Sequence, residues 1–190
     1  MLRETSDWLA GQFDAKGKVP GWRTHLNESG APDTGEIADG LTLQIYAELL
    51  RAEAEVSLAV PPGILEAIPR HLDRLVGRPL DYANSLNIIA RTFTNYDGKL
   101  TTRTIVVSFL WFPWAIEVAH RWLARLERFG GAAEDQVRAR RALGHLVVDL
   151  GAQGFAAAVD GAPTFVASET LYALAGITEQ NPRATGTAAR

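Results

Sequence analysis

The sequence predicts an all-α protein built from about three helical hairpins, and three observations carry that prediction. Over long stretches of the 190-residue chain, apolar residues recur at the three- and four-residue spacings of an amphipathic helix. Some of these stretches are apolar round the whole axis, which asks for helices enclosed on every side. Proline and glycine clusters fall between the stretches, where a chain of helices must turn.

The first helix is expected over about Ser6 to Phe13, with Trp8, Leu9 and Phe13 at helical spacing. Gly17, Pro20 and Gly21 then impose a loop. Asp33-Thr34-Gly35-Glu36 reads as the start of the next helix, Asp33 as N-cap and Glu36 three positions on as in a capping box. That helix should reach about Ala59, its half from Ile37 to Leu50 enclosed. Pro61-Pro62 stops it. Ile64, Leu65, Ile68, Leu72, Leu75 and Val76 then form one stripe opposite Glu66, Arg70, Asp73 and Arg74, a surface helix bent at Pro69.

A short helical piece is expected over Ser85 to Phe93, closed by the turn Asn95-Tyr96-Asp97-Gly98. A second enclosed helix follows from Thr104 to Arg128, apolar all round to Ile116 and kinked at Pro113. Gly130-Gly131 ends it. The helix from Ala132 to Gly151 turns Val137, Leu143, Leu146, Val147 and Leu150 inward and Arg138, Arg140 and Arg141 to water. Asp160-Gly161-Ala162-Pro163 leads to a last enclosed helix from Thr164 to Ala175, continuing to Ile177. Residues 1–177 read as one domain and 178–190 as a small, polar, aperiodic tail without fixed structure.

Composition narrows the function classes. A hydrophobic fraction of 47% and a charged fraction of 22% are those of a globular domain. A net charge of -3 offers no basic field for phosphates, so nucleic acid is not the expected partner. Without cysteine there is no disulfide, thiolate nucleophile or thiolate metal site. Met1 to Asp7 is polar, unlike a signal peptide, and Ile105 to Ile116 is too short to span a bilayer, so a cytoplasmic protein is expected.

Three junctions look alike: Gln12-Phe13-Asp14-Ala15-Lys16-Gly17, Phe93-Thr94-Asn95-Tyr96-Asp97-Gly98, and Gln153-Gly154-Phe155 leading to Asp160-Gly161. Each reads as a helix closed by an aromatic and reversed at a glycine. With Trp8-Leu9-Ala10-Gly11-Gln12 ahead of it and Trp22 behind, the first copy resembles the QxxDGxW repeat of terpenoid cyclases and protein prenyltransferases. That resemblance implies an α/α toroid, an architecture related to that of the six-hairpin glycosidases. The DxDD acid motif of one cyclase class is absent, and the prenyltransferase zinc set needs a cysteine, so neither activity carries over. Three hairpins are half of a closed ring, which implies a half-ring, an excised domain or a compact derivative.

Loops that precede buried helices share one face in such an arrangement, and helix N-termini there offer unpaired N–H groups. Trp22 to Glu28 is the richest such loop, followed by Asp33, Glu36 and Asp39. His25 with Asp33 or Glu36 suits a base and its orienting carboxylate, although Asp33 and Glu36 equally suit a helix cap. Glu36, Asp39 and Glu169 are the candidate catalytic acids, Glu169 because a carboxyl on an apolar helix needs a partner or a shifted pKa. Trp22, His25, Trp111, Trp114 and Tyr172 are the candidate ligand-binding residues, since flat aromatics hold sugar or isoprenoid surfaces and otherwise fill cores. Glu117 and His120 could share a proton or a metal, but two ligands do not make a site, and no metal or other cofactor is expected. His71 and His145 carry no motif and no assigned role.

The function expected from these residues is a non-catalytic or accessory toroid-type module that binds a hydrophobic ligand or a protein partner. The rival is a carboxylate-dependent enzyme, either a carbohydrate-active hydrolase or lyase or a divergent terpenoid-processing protein. Open ends of a half-ring predict a homodimer with Trp8, Leu171 and Leu174 near the contact.

Overall fold

The structure, a computed structural model, describes residues 2–16, 19–23, 37–80, 87–94, 96–107, 110–162 and 164–179. Among them are seven helices, α1 (Leu2–Gly11), α2 (Asp39–Val56), α3 (Pro62–Leu75), α4 (Phe112–Phe129), α5 (Ala133–Gln153), α6 (Phe155–Ala158) and α7 (Thr164–Glu179). Strands β1 (Asn87–Thr94) and β2 (Leu100–Val107) pair antiparallel between α3 and α4, in register from Asn87 with Val107 to Thr94 with Leu100. The predominantly helical class therefore holds, with one hairpin added to it.

That hairpin replaces two expected features. Residues 87–94 are extended rather than helical, and Thr104 to Val107 belong to β2 rather than to an enclosed helix. The reason is chemical: Thr101, Thr102, Thr104, Ile105, Val106 and Val107 are β-branched, and their stiff side chains suit a pleated strand better than a helix. Gly98, at φ 76°, and the backbone N–H of Lys99, which donates to Asp97 Oδ1 at 3.1 Å, build the connecting turn. The second junction is thus a strand-to-strand turn, and the three junctions are not copies of one another.

Helix α4 starts at Phe112, with Pro113 in its first turn, where the missing N–H would have had no partner in any case. The expected kink becomes a start signal. Its apolar side chains are buried round most of the axis, from Phe112, Ala115 and Ile116 through Val118, Ala119, Trp122 and Leu126. Gly130, at φ 74°, closes it in the left-handed conformation. Around it pack α2, α5 and α7, and more lightly α3, which also touches α5. Arg125 fastens α4 to α2, its Nε and Nη2 donating to the two carboxylate oxygens of Glu53 at 2.6 and 3.2 Å.

Of the three helices expected to be enclosed only α4 is, and its buried residues run from Phe112 to Leu126 rather than from Thr104 to Ile116. Leu41 and Ile45 of α2 stay half-buried beside an open groove shared with Leu9 and Leu58, and Phe165, Leu171 and Tyr172 of α7 are exposed. Both helices lack a covering layer on one side among the described residues. Val137 of α5 faces water, while Ala139, Ala142, Leu146 and Leu150 are its buried line. Helix α3 runs on through Pro69.

The expected capping box is also displaced. Ile37 pairs with Arg23 in an isolated antiparallel bridge, which holds the chain extended there, so α2 begins at Asp39 with Ala38 as its N-cap. Asp33, Glu36 and His25 lie outside the described residues, as does the tail from residue 180.

Candidate ligand cleft

The N-terminal half of α4 and the middle of α7 enclose a cleft of about 310 Å³ lined by Pro113, Trp114, Glu117, Ser168, Glu169, Tyr172 and Ala173. Helical spacing explains the lining, because 113, 114 and 117 share one side of α4, and 168, 169, 172 and 173 share one side of α7. The cleft brings together Trp114, Tyr172 and Glu169 with Glu117, all four singled out in the sequence, Glu117 there beside His120.

Its carboxyls differ. The Glu117 side chain is 5% exposed, and its Oε1 accepts from Arg121 Nε one turn on, at 2.6 Å. Oε2 is buried and has no hydrogen-bond partner among the described residues. Native interiors rarely leave a buried carboxylate oxygen without a donor. Gly176 leaves the room above it, since a Cβ there would sit 3.5 Å from Oε2. Glu169 is part-buried, and burial pushes its pKa up from 4.5. Arg121 also lines a separate cleft with Leu50, Glu53 and Arg125, and among the described residues no basic side chain lines the cleft that holds Glu117 and Glu169.

Asp39 does not join Glu169. It sits in the first turn of α2, and one of its oxygens meets His71 Nε2 at 3.1 Å and Arg74 Nη2, while the other accepts from Arg78 Nη1 at 2.8 Å. Burial acts to raise its pKa, but the hydrogen bonds from His71 and Arg74, with their charges, overcome that and hold the carboxyl well below the usual range. His71 is fully buried, its pKa lowered by burial against the pull of Asp39. A neutral ring that donates from Nε2 to Asp39 leaves Nδ1 as a bare acceptor, and Nδ1 has no partner among the described residues. The His71 ring meets the edge of Tyr46 at a 5.8 Å centroid distance. These contacts join α2 to the end of α3.

Two other candidates belong to the core. Trp22 is 4% exposed, packed against Phe13 and Tyr46 at 4.7 and 5.5 Å between centroids, and its indole N–H donates to Leu9 O at 2.8 Å. Trp111 is 1% exposed, with the Arg78 guanidinium 5.0 Å above its ring. Glu117 and His120 line different clefts, the latter with Leu123, Glu127 and Arg140, so they do not converge on one ion.

His71 is the residue that sequence reasoning passed over. Its signal was positional: it falls on the apolar stripe of Ile64, Ile68 and Leu75, so a histidine there had to be buried. Among the described residues no group of three acidic, histidine or cysteine side chains could hold a metal, and no helix is long and apolar enough to cross a membrane. Compared with family models, with curated proteins and with solved structures, the chain has no significant match.

Proposed function

We propose that this chain is a non-catalytic or accessory binding module whose cleft between α4 and α7 takes a small hydrophobic ligand. The cleft itself carries the reading: it is walled by Trp114, Tyr172, Pro113 and Ala173, with few polar groups, and its size is at the lower end of ligand pockets, about 300–1,000 Å³. Titration with the neutral apolar dye N-phenyl-1-naphthylamine tests it. Saturable enhancement of dye fluorescence that Trp114→Ala removes supports the reading. No enhancement, or enhancement unchanged by that substitution, overturns it.

An α/α-toroid-type arrangement, a half-ring here, agrees with α4 packing on α2 and α7 while α3 and α5, the helices between them in sequence, touch each other. Association into a homodimer would cover the apolar sides left at Trp8, Phe165 and Leu171, or a protein partner would. Light scattering at micromolar concentration separates these: twice 20.6 kDa supports the homodimer and a clean 20.6 kDa overturns it.

One observation favours the enzyme reading as second. Glu169, with its raised proton affinity, shares a cleft with Glu117, which is ion-paired to Arg121, and unlike carboxyls at one site suit acid–base chemistry. Turnover of a glycoside or terpenoid substrate that Glu169→Gln abolishes, at unchanged fold, would replace the module with the enzyme.

A further inference from the structure

We propose that the ligand of the α4–α7 cleft carries a cationic head group, an alkyl- or arylammonium, received by Glu117 and Glu169 between Trp114 and Tyr172. The inference rests on the proposed ligand cleft and names the chemistry it selects. Apart from the Trp114 indole N–H, every polar side chain in the lining can accept a hydrogen bond. Glu117 Oε2 is buried, belongs to a side chain only 5% exposed, and lacks a donor among the described residues. The Ser168 hydroxyl already donates to Thr164 O at 3.3 Å, so its free capacity is its lone pairs. Glu169 adds a carboxyl, and among the described residues neither arginine, lysine nor histidine lines the cleft to neutralise it.

A hydroxylated neutral ligand would satisfy part of this set. An ammonium satisfies the acceptors, because it brings up to three donors and no acceptor, and its charge offsets Glu169 where Glu117 already has Arg121. Tryptophan and tyrosine present π faces that attract a cation, tryptophan most strongly. An anion meets no basic side chain in the lining among the described residues, and the nearby guanidinium of Arg121 is taken up by Glu117. The high proton affinity of Glu169 has the same origin: it is a carboxyl partly withdrawn from water with no cation beside it.

The experiment is calorimetric titration of the full chain with three probes of one shape, 2-phenylethylammonium, 2-phenylethanol and phenylacetate, at pH 7.5. The expected order is ammonium at least tenfold tighter than alcohol, with no detectable binding of phenylacetate. Glu117→Gln should weaken the ammonium about tenfold and the alcohol far less, with circular dichroism confirming the fold. Glu169→Gln, at a part-exposed position that tolerates change, gives a second measurement in the same direction should Glu117→Gln lose stability. Ammonium and alcohol binding equally, both lost in Trp114→Ala, overturns the cation inference and leaves the apolar cleft standing. Binding of no probe overturns both.

Discussion

Nε2 of His71, near the end of α3, lies 3.1 Å from Oδ1 of Asp39, in the first turn of α2, and the histidine has no solvent-exposed surface. Removing the carboxylate would strand His71, Arg74 and Arg78 together. Asp39→Ala should lose about 2–3 kcal/mol, less than for a wholly buried set because both arginines are a third exposed. Urea denaturation measures it, and a loss under about 0.5 kcal/mol would make the cluster superficial.

The same pair sets an acid dependence. Both groups bind protons less readily folded than unfolded, so each contributes stability above its unfolded pKa that is lost as pH falls. Stability should decline below about pH 6.5 as the unfolded His71 takes its proton, and again below about pH 4 for Asp39. His71→Gln should flatten the upper decline and Asp39→Asn the lower in denaturation curves from pH 8 to 3. A protein that gains stability on acidification through this range contradicts the assignment.

Gly21 is held against α2 so closely that a Cβ would stand 2.5 Å from Thr42 Oγ1 and 2.6 Å from Ile37 Cγ2. Thr42 Oγ1 also accepts the backbone N–H of Trp22 at 3.2 Å. Gly21→Ala should therefore cost about 1–3 kcal/mol through crowding. It should also change the near-ultraviolet circular dichroism of Trp22, and a silent substitution would show that this segment yields easily.

Leu110, 1% exposed just before α4, should lose about 2–5 kcal/mol on replacement by Ala. Arg140, half exposed and paired with Glu127 at 2.7 Å, should change stability by less than about 0.5 kcal/mol. Equal melting shifts for the two would mean that inner and outer layers are misassigned.

Glu169 behaves oppositely to Asp39. Its folded pKa lies above the unfolded value, so whatever it contributes is present at low pH and lost as pH rises through the folded pKa. Glu169→Gln should thus leave the melting temperature at pH 7 unchanged or raised, and compare less well with the parent only below about pH 4.5. A marked loss at pH 7 would reveal a partner for the carboxylate.

Much of the helical frame was legible because punctuation and period agreed: Pro61-Pro62 before α3, Gly130 after α4, and the stripe of Ile64, Ile68, Leu72 and Leu75. The hairpin was missed because only Ser108 separates Ile105, Val106 and Val107 from Phe109, Leu110 and Trp111, and a nearly unbroken apolar run has no period to separate strand from helix. The start of α2 was missed because Asp33 and Glu36 have capping spacing, while the Arg23–Ile37 bridge that delays the helix is made with a residue distant in the chain. At the cleft, Trp114, Tyr172 and Glu169 stood out by type, but their convergence depends on how α7 lies on α4. The partnering of Asp39 with His71, 32 positions apart, is likewise tertiary.

Because α4 is the common seat of α2, α3, α5 and α7, the order of synthesis matters. Helices α2 and α3 are made well before the surface on which they pack, and their apolar sides stay wet until Phe129 has been added. At 5–20 residues per second the interval from Val56 to Phe129 is about 4–15 s, ample time for a nascent-chain chaperone to find Leu43, Leu50 and Ile68 uncovered. Once α4 exists, α2 and α3 have the surface on which both pack.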